Sequence, residues 1–93
     1  MAFTYDFTAS LKATVSKLYT RDWQRYEILL RKVEQIASGD WQAIDHFKNL
    51  RHGLSDRKRV HIDKSFVLTF SVDRKNNHIL FLEFDHHDNI YKR

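Results

Sequence analysis

The stretch VHIDKSFVLTFSVDRKNNHILFLEFDHHDNIY, residues 60–91, decides the fold. It reads as three antiparallel strands followed by a short polar tail. Leading into it, Arg57, Arg59 and His61 alternate with Lys58, Val60 and Ile62, the two-residue rhythm of a strand with one wet face. Val60 and Ile62 are expected to point at helices, which sends Arg57, Arg59 and His61 the other way. The runs Phe66–Asp73 and His78–Asp85 are dense in aromatic and β-branched side chains and apolar on both sides near their middles, as central strands are. Between them Arg74–Asn77 is a polar connector, and Asn76-Asn77 tolerates the positive φ of a tight hairpin turn.

Ahead of this stretch, Phe3, Tyr5 and Phe7 alternate with Thr4 and Asp6, a short first strand. Thr8 or Ser10 can cap a helix with Leu11, Val15 and Leu18 on one stripe. A longer helix follows Thr20 and Asp22, with Trp23, Tyr26, Leu29, Leu30, Val33, Ile36 and Ala37 at three- and four-residue spacing and Gly39 as its stop. Trp23 and Tyr26 read as core packing, the usual fate of aromatics at helical spacing. Asp40 caps a short third turn or helix carrying Trp41, Ile44 and Phe47, and residues 50–56 (LRHGLSD) form a loop. With no proline and two glycines, nothing marks a second domain, so residues 1–93 are expected to form one. The order β-α-α-β-β-β gives an α+β fold: two helices on one face of a small, mainly antiparallel sheet.

The absence of cysteine excludes a disulfide framework and fits a reducing, cytoplasmic setting. No stretch approaches the roughly 18 apolar residues of a membrane span, so no membrane partner is expected. The net charge of +4 is lopsided: residues 1–47 hold six basic and six acidic side chains, whereas residues 48–93 hold ten against six and five of the six histidines. A basic, histidine-rich half suggests a polyanion on one side, nucleic acid being the commonest such partner. His86, His87 and Asp88 are of zinc-ligand type. Adjacent histidines point apart on extended backbone, however, and no spaced third ligand stands out, so no metal is expected.

The element order, the LRHGLSD loop, the RKRVHID strand (57–63) and the closing HHDNIY (86–91) together resemble the RelE/ParE superfamily of toxin–antitoxin toxins. The tail and the HID strand are closest to the RelE and YafQ branches, the loop to that of YoeB. The resemblance implies a small endoribonuclease that enters the ribosomal A site and cuts mRNA without metal or cofactor, by attack of a ribose 2′-hydroxyl on the adjacent phosphate. It also implies a cognate antitoxin: a monomer alone, a hetero-oligomer with its partner. Carried over by position, His61 and His87 are the catalytic histidines, Tyr91 the aromatic that closes the site, and Arg57, Lys58 and Arg59 the phosphate-binding cations, with Arg51, His52 and Lys64 as further RNA contacts. Two positions depart from the pattern. Ser65 stands where YafQ carries an acid, and Glu83 and Asp85 occupy the neighbourhood of an arginine in RelE and YafQ; the nearest counterparts of the YoeB glutamate are Gln42 and Asp45.

The chemistry suits these residue types. Histidine, with an ordinary pKa near 6.5, can take or give a proton at neutral pH, and guanidinium forks match phosphate oxygens. His87 and His61 are therefore the expected acid/base pair, Arg59 and Arg57 the phosphate clamps, and Tyr91 a stacking platform or hydrogen-bond donor. The alternative is a non-catalytic, ParE-like inhibitor of a protein target such as gyrase, or an inactive RNA-binding homologue.

Overall fold

Thr8 joins the helical layer to the sheet with a single side chain. Its Oγ1 accepts from Leu11 N at 3.1 Å, capping α1 (Ala9–Arg21), and donates to the Leu82 carbonyl at 2.6 Å. The computed structural model describes residues 3–49 and 57–91. The full order is β1 (Thr4–Phe7), α1, α2 (Trp23–Ala37), α3 (Trp41–Asp45), β2 (Lys48–Asn49), β3 (Arg57–Ile62), β4 (Phe66–Asp73), β5 (His78–His86) and α4 (His87–Tyr91). The strands form one mixed sheet in the order β1-β5-β4-β3-β2, antiparallel except where β1 runs parallel to β5. This is the expected α+β arrangement, including the short third helix capped by Asp40, with two additions: β2 extends the sheet beyond β3, and the polar tail is a helix. The expected loop at residues 50–56, with Arg51 and His52, lies outside the described residues.

Period-two alternation sends Ile62, Leu68, Phe70, Ile79 and Phe81 into one buried cluster with Leu11, Leu29, Val33, Ile36 and Ile44 from the helices. Each such side chain contributes about 1.5–3 kcal/mol on burial, so the sheet face under α1 and α2 carries most of the folding energy. A bulge interrupts the pattern: Thr69 pairs with Glu83 but Phe70 with Phe81, leaving Leu82 as the extra residue. Phe81 and Phe84 can therefore both face the helices although three residues apart.

Asp22 caps α2 through Arg25 N at 3.2 Å, and Asp40 caps α3 through Ala43 N at 2.9 Å. One expectation holds and one changes. α2 ends at Ala37 with Ser38 as its cap, and Gly39 follows directly, its amide donating to the Ile36 carbonyl at 3.2 Å. Trp23 is 52% exposed rather than core, because it stacks outward with Tyr19 and Tyr26 in an aromatic ridge with ring centres 5.0–5.3 Å apart.

Two ion-pair clusters tie the helices to the hairpin ends. Arg25 pairs with Asp22 and with Asp63 of the β3–β4 turn, its guanidinium 4.2 Å above the Phe66 ring. Arg74 pairs with Asp45 and lies 4.6 Å from the Trp41 ring, whose Nε1 donates to Asn77 Oδ1 at 3.0 Å. In the β3–β4 turn Asp63 and Lys64 both adopt positive φ, as does Asn77 in the β4–β5 turn. Asn tolerates that conformation readily, which is the basis on which the second turn was expected.

Asp73 accepts from Asn76 N at 3.2 Å and from Asn76 Nδ2 at 2.8 Å. These bonds favour the carboxylate and hold its pKa below the ordinary 3.8, the side-chain bond being the larger cause. A lowered folded-state pKa means that the contribution is complete above the ordinary carboxylate range and is lost as pH falls through the lowered value. The protection of the Asn76 amide, the slowing of its exchange relative to the unstructured rate at the same pH, should accordingly be lost on acidification below the ordinary carboxylate range. In Asp73→Ala exchange should be fast and its protection largely insensitive to pH; an unchanged exchange profile would contradict the turn assignment.

Candidate active site

β3 lays out the ridge. Arg57 pairs with Ser71, Arg59 with Thr69 and His61 with Val67, and all three side chains leave the sheet on the side away from α1 and α2. The same alternation carries Lys58 to the other side, where it is 6% exposed. Its Nζ donates to the Phe47 carbonyl at 3.3 Å and to Asn49 Oδ1 at 3.0 Å. The phosphate contact expected of Lys58 meets a physical obstacle, since its ammonium lies across the sheet from Arg57 and Arg59. Buried beside Phe47 and Phe70, it holds β2 to β3.

The face that the helices leave is not bare. β5 gives way to α4 between His86 and His87, and three hydrogen bonds fix that corner. His87 N donates to the Ser65 carbonyl at 2.8 Å, His86 N to Asp85 Oδ1 at 2.7 Å, and Asn89 Nδ2 to the same Asp85 oxygen at 3.0 Å. α4 then packs on β4 and β5, burying Ile90, while Val67 and Thr69 on that face are also buried. Asp85, which stands in the neighbourhood of a family arginine, thus serves as the bracket of this corner.

Folding back brings Tyr91 onto the ridge. Arg59 Nη1 donates to Tyr91 Oη at 2.6 Å, and the guanidinium carbon lies 5.2 Å from the ring centre. The His61 and Tyr91 rings are centred 6.5 Å apart. Arg59 Nε is buried and has no hydrogen-bond partner among the described residues. His87 lies four residues before Tyr91, hence on the same side of α4 one turn back. Its own contacts are with Asp88, Nδ1 to Oδ1 at 3.0 Å, and with the His86 ring, centred 4.5 Å away. Of the four expected catalytic residues, Arg59 and Tyr91 meet in a hydrogen bond, the His61 ring lies near Tyr91, and His87 contacts Asp88 and His86 rather than the other three. Lys64 is exposed in the β3–β4 turn, beside the Ser65 carbonyl that receives the His87 amide.

Beside Arg59 and His61 lies a shallow recess of about 230 Å³, completed by Val60, His46, Phe47 and Lys48. His46 and Lys48 precede β3 in the chain, and the β2–β3 pairing brings that segment alongside Arg59. A larger groove, about 350 Å³, lies between β1, α1 and α2 and is lined by Tyr5, Phe7, Val15, Leu30 and Val33. Asp6, Lys12 and Glu34 complete its lining, on the helical side of the protein and apart from the β3 ridge.

A four-strand antiparallel block joined to a parallel first strand, with a helical hairpin on one side and a C-terminal helix on the other, is the RelE-type toxin fold. It superposes on the RelBE2 toxin–antitoxin complex structure from Mycobacterium tuberculosis at TM-score 0.60 and 23% identity, covering 92% of this chain and 99% of that one. It superposes on a conserved hypothetical protein from Helicobacter pylori at TM-score 0.64 and 16% identity, covering 96% and 99%. No protein-family model matches the chain. In sequence it is 48% identical over 91 residues to the Methanocaldococcus jannaschii protein named "Putative toxin RelE4", covering 98% of this chain and 93% of that one. It is also 36% identical over 83 residues to an uncharacterized Methanosarcina mazei protein, covering 89% and 92%. The chain belongs to the RelE family of toxins.

The Arg59–Tyr91 bond should anchor α4. Removing the hydroxyl in Tyr91→Phe should cost about 1 kcal/mol and accelerate amide exchange across His87–Tyr91 roughly fivefold, leaving β4 unchanged. Uniform acceleration across the sheet would show that Tyr91 supports the core instead.

Proposed function

We propose that this chain is the toxin of a toxin–antitoxin pair and cleaves mRNA, on the ribosome, as a metal-independent endoribonuclease in the cytoplasm. The observation that carries the reading is the contact of Arg59 with Tyr91 beside His61, on a cationic ridge turned away from the helices. RNA cleavage by internal attack asks for three things: removal of the 2′-hydroxyl proton, protonation of the departing 5′-oxygen, and shielding of charge on the phosphorane. One imidazole of the pair His61 and His87 takes the 2′-proton as the 2′-oxygen attacks phosphorus. The P–O5′ bond breaks, the other imidazole protonates the 5′-oxygen, and a 2′,3′-cyclic phosphate and a 5′-hydroxyl remain. Arg59 holds Tyr91 through Nη1, and its guanidinium charge beside the recess shields charge on a phosphate oxygen. Tyr91, 39% exposed, offers a face on which an unstacked base can rest. The M. tuberculosis structure pairs its toxin with an antitoxin, and a cognate antitoxin is the corresponding partner here.

Purified protein mixed with translating ribosomes, with transition metals chelated and magnesium retained for the ribosome, should cut message and leave cyclic-phosphate ends. His87→Ala and His61→Ala should each slow cutting by about 10²–10⁴-fold. Arg57→Gln should flatten the salt dependence of RNA binding by roughly 0.7 in log–log slope. Lys58→Met should leave that slope alone and change only stability. Message that stays intact with active ribosomes would overturn the nuclease reading, and filamentation with a DNA-damage response on expression would favour the ParE-like alternative.

A further inference from the structure

The corner between β5 and α4 gathers three metal-binding side chains. His86, His87 and Asp88 each offer a ligand atom within 4.8 Å of the others. Extended backbone would send the two rings to opposite sides. The strand instead ends at His86 and the helix begins at His87, so the rings lie nearly parallel, tilted by 31° with centres 4.5 Å apart. Asp88 reaches both: its Oδ1 is 3.0 Å from His87 Nδ1 and its Oδ2 3.7 Å from His86 Nδ1, while its amide donates to His86 Nδ1 at 3.2 Å.

We infer that His86, His87 and Asp88 bind a divalent transition metal, zinc in particular, and that binding silences the enzyme by capturing His87. Two imidazoles and a carboxylate are a zinc donor set, and water supplies the fourth position in such open sites. Zinc–nitrogen and zinc–oxygen bonds of about 2.0–2.2 Å place tetrahedral ligands roughly 3.4 Å apart. The His87–Asp88 pair already meets that spacing. His86, 39% exposed at its side chain, closes the remainder by turning its ring away from the Asp88 amide. The backbone needs no rearrangement, because the bonds to Ser65 and Asp85 already hold the corner. A zinc-bound imidazole no longer gains and loses a proton near neutral pH, so His87 cannot serve as acid or base while the metal sits there. The inhibitory half of this inference rests on the proposed role of His87; the binding half does not.

The test uses untagged full-length protein, ¹⁵N-labelled at histidine, titrated with zinc chloride alone. The ring nitrogens of His86 and His87 should shift together and saturate at one metal per chain, with His78 unmoved. His86→Asn removes a ligand from outside the proposed catalytic set. It should weaken zinc binding at least tenfold, since even outer partners of metal ligands are worth 10–100-fold. The same variant should cut message at the wild-type rate with zinc chelated and magnesium present, and lose inhibition by micromolar zinc. Unshifted histidine resonances, or equal zinc affinity in His86→Asn, would overturn the site. Zinc binding at these rings in a protein that cuts no message would uphold the site and overturn only the nuclease reading.

Discussion

Burial of Phe70 and Phe81 beneath the two long helices is the constraint from which the rest follows. Both rings are fully buried, their centres 5.8 Å apart, and they share one cluster with Leu11, Leu29 and Ile44. Once that face is dry, alternation along β3 leaves Arg57, Arg59 and His61 no choice of side. A one-residue slip would put three polar side chains under α1 and α2, at a cost of several kcal/mol for each unpaired cation. The position of the ridge is thus enforced by hydrophobic burial on the far side of the sheet, at residues that touch no substrate.

Much of this was legible in the residues themselves. Period two in residues 57–62 and the dense apolar runs after it identify β3, β4 and β5, and Thr8, Asp22 and Asp40 announce the helix starts as caps do. What escaped has physical reasons. Five residues, His87–Tyr91, are too few for a helical period, and that helix is stable only because Ile90 buries itself and Tyr91 bonds to Arg59. Trp23 follows helical spacing but lies where α2 overhangs the sheet, so periodicity placed it on a stripe without saying where the stripe ran out of core. Lys58 shows the converse: its charge suggested solvent, while its parity in the strand already assigned it to the buried face. β2, two residues long, is defined only by its partner.

The site concentrates its working parts on a small and separable element. His87 and Tyr91 both ride on α4, which meets the body of the protein through β4 and β5 and the Arg59–Tyr91 bond. Helix formation, docking and assembly of the ridge are therefore one event, since undocking α4 removes together His87 and the phenol that Arg59 holds. Asp85 illustrates the economy of this arrangement. A carboxylate near a phosphate site is electrostatically unhelpful, yet here it accepts two hydrogen bonds at the corner from which α4 departs.

The parallel pairing of β1 with β5 has a consequence for how the chain is made. Thr4 lies opposite His78 and Phe7 opposite Phe81, so the earliest strand to emerge during synthesis has no neighbour until one of the last has been produced. Closure over so long an intervening segment is entropically slow. Until it happens α1 lacks the Leu82 carbonyl that its capping Thr8 engages, and α4 has not yet been synthesised. A nascent copy that has not yet produced β5 therefore lacks the strand that closes its sheet, and with it α4, which carries His87 and Tyr91.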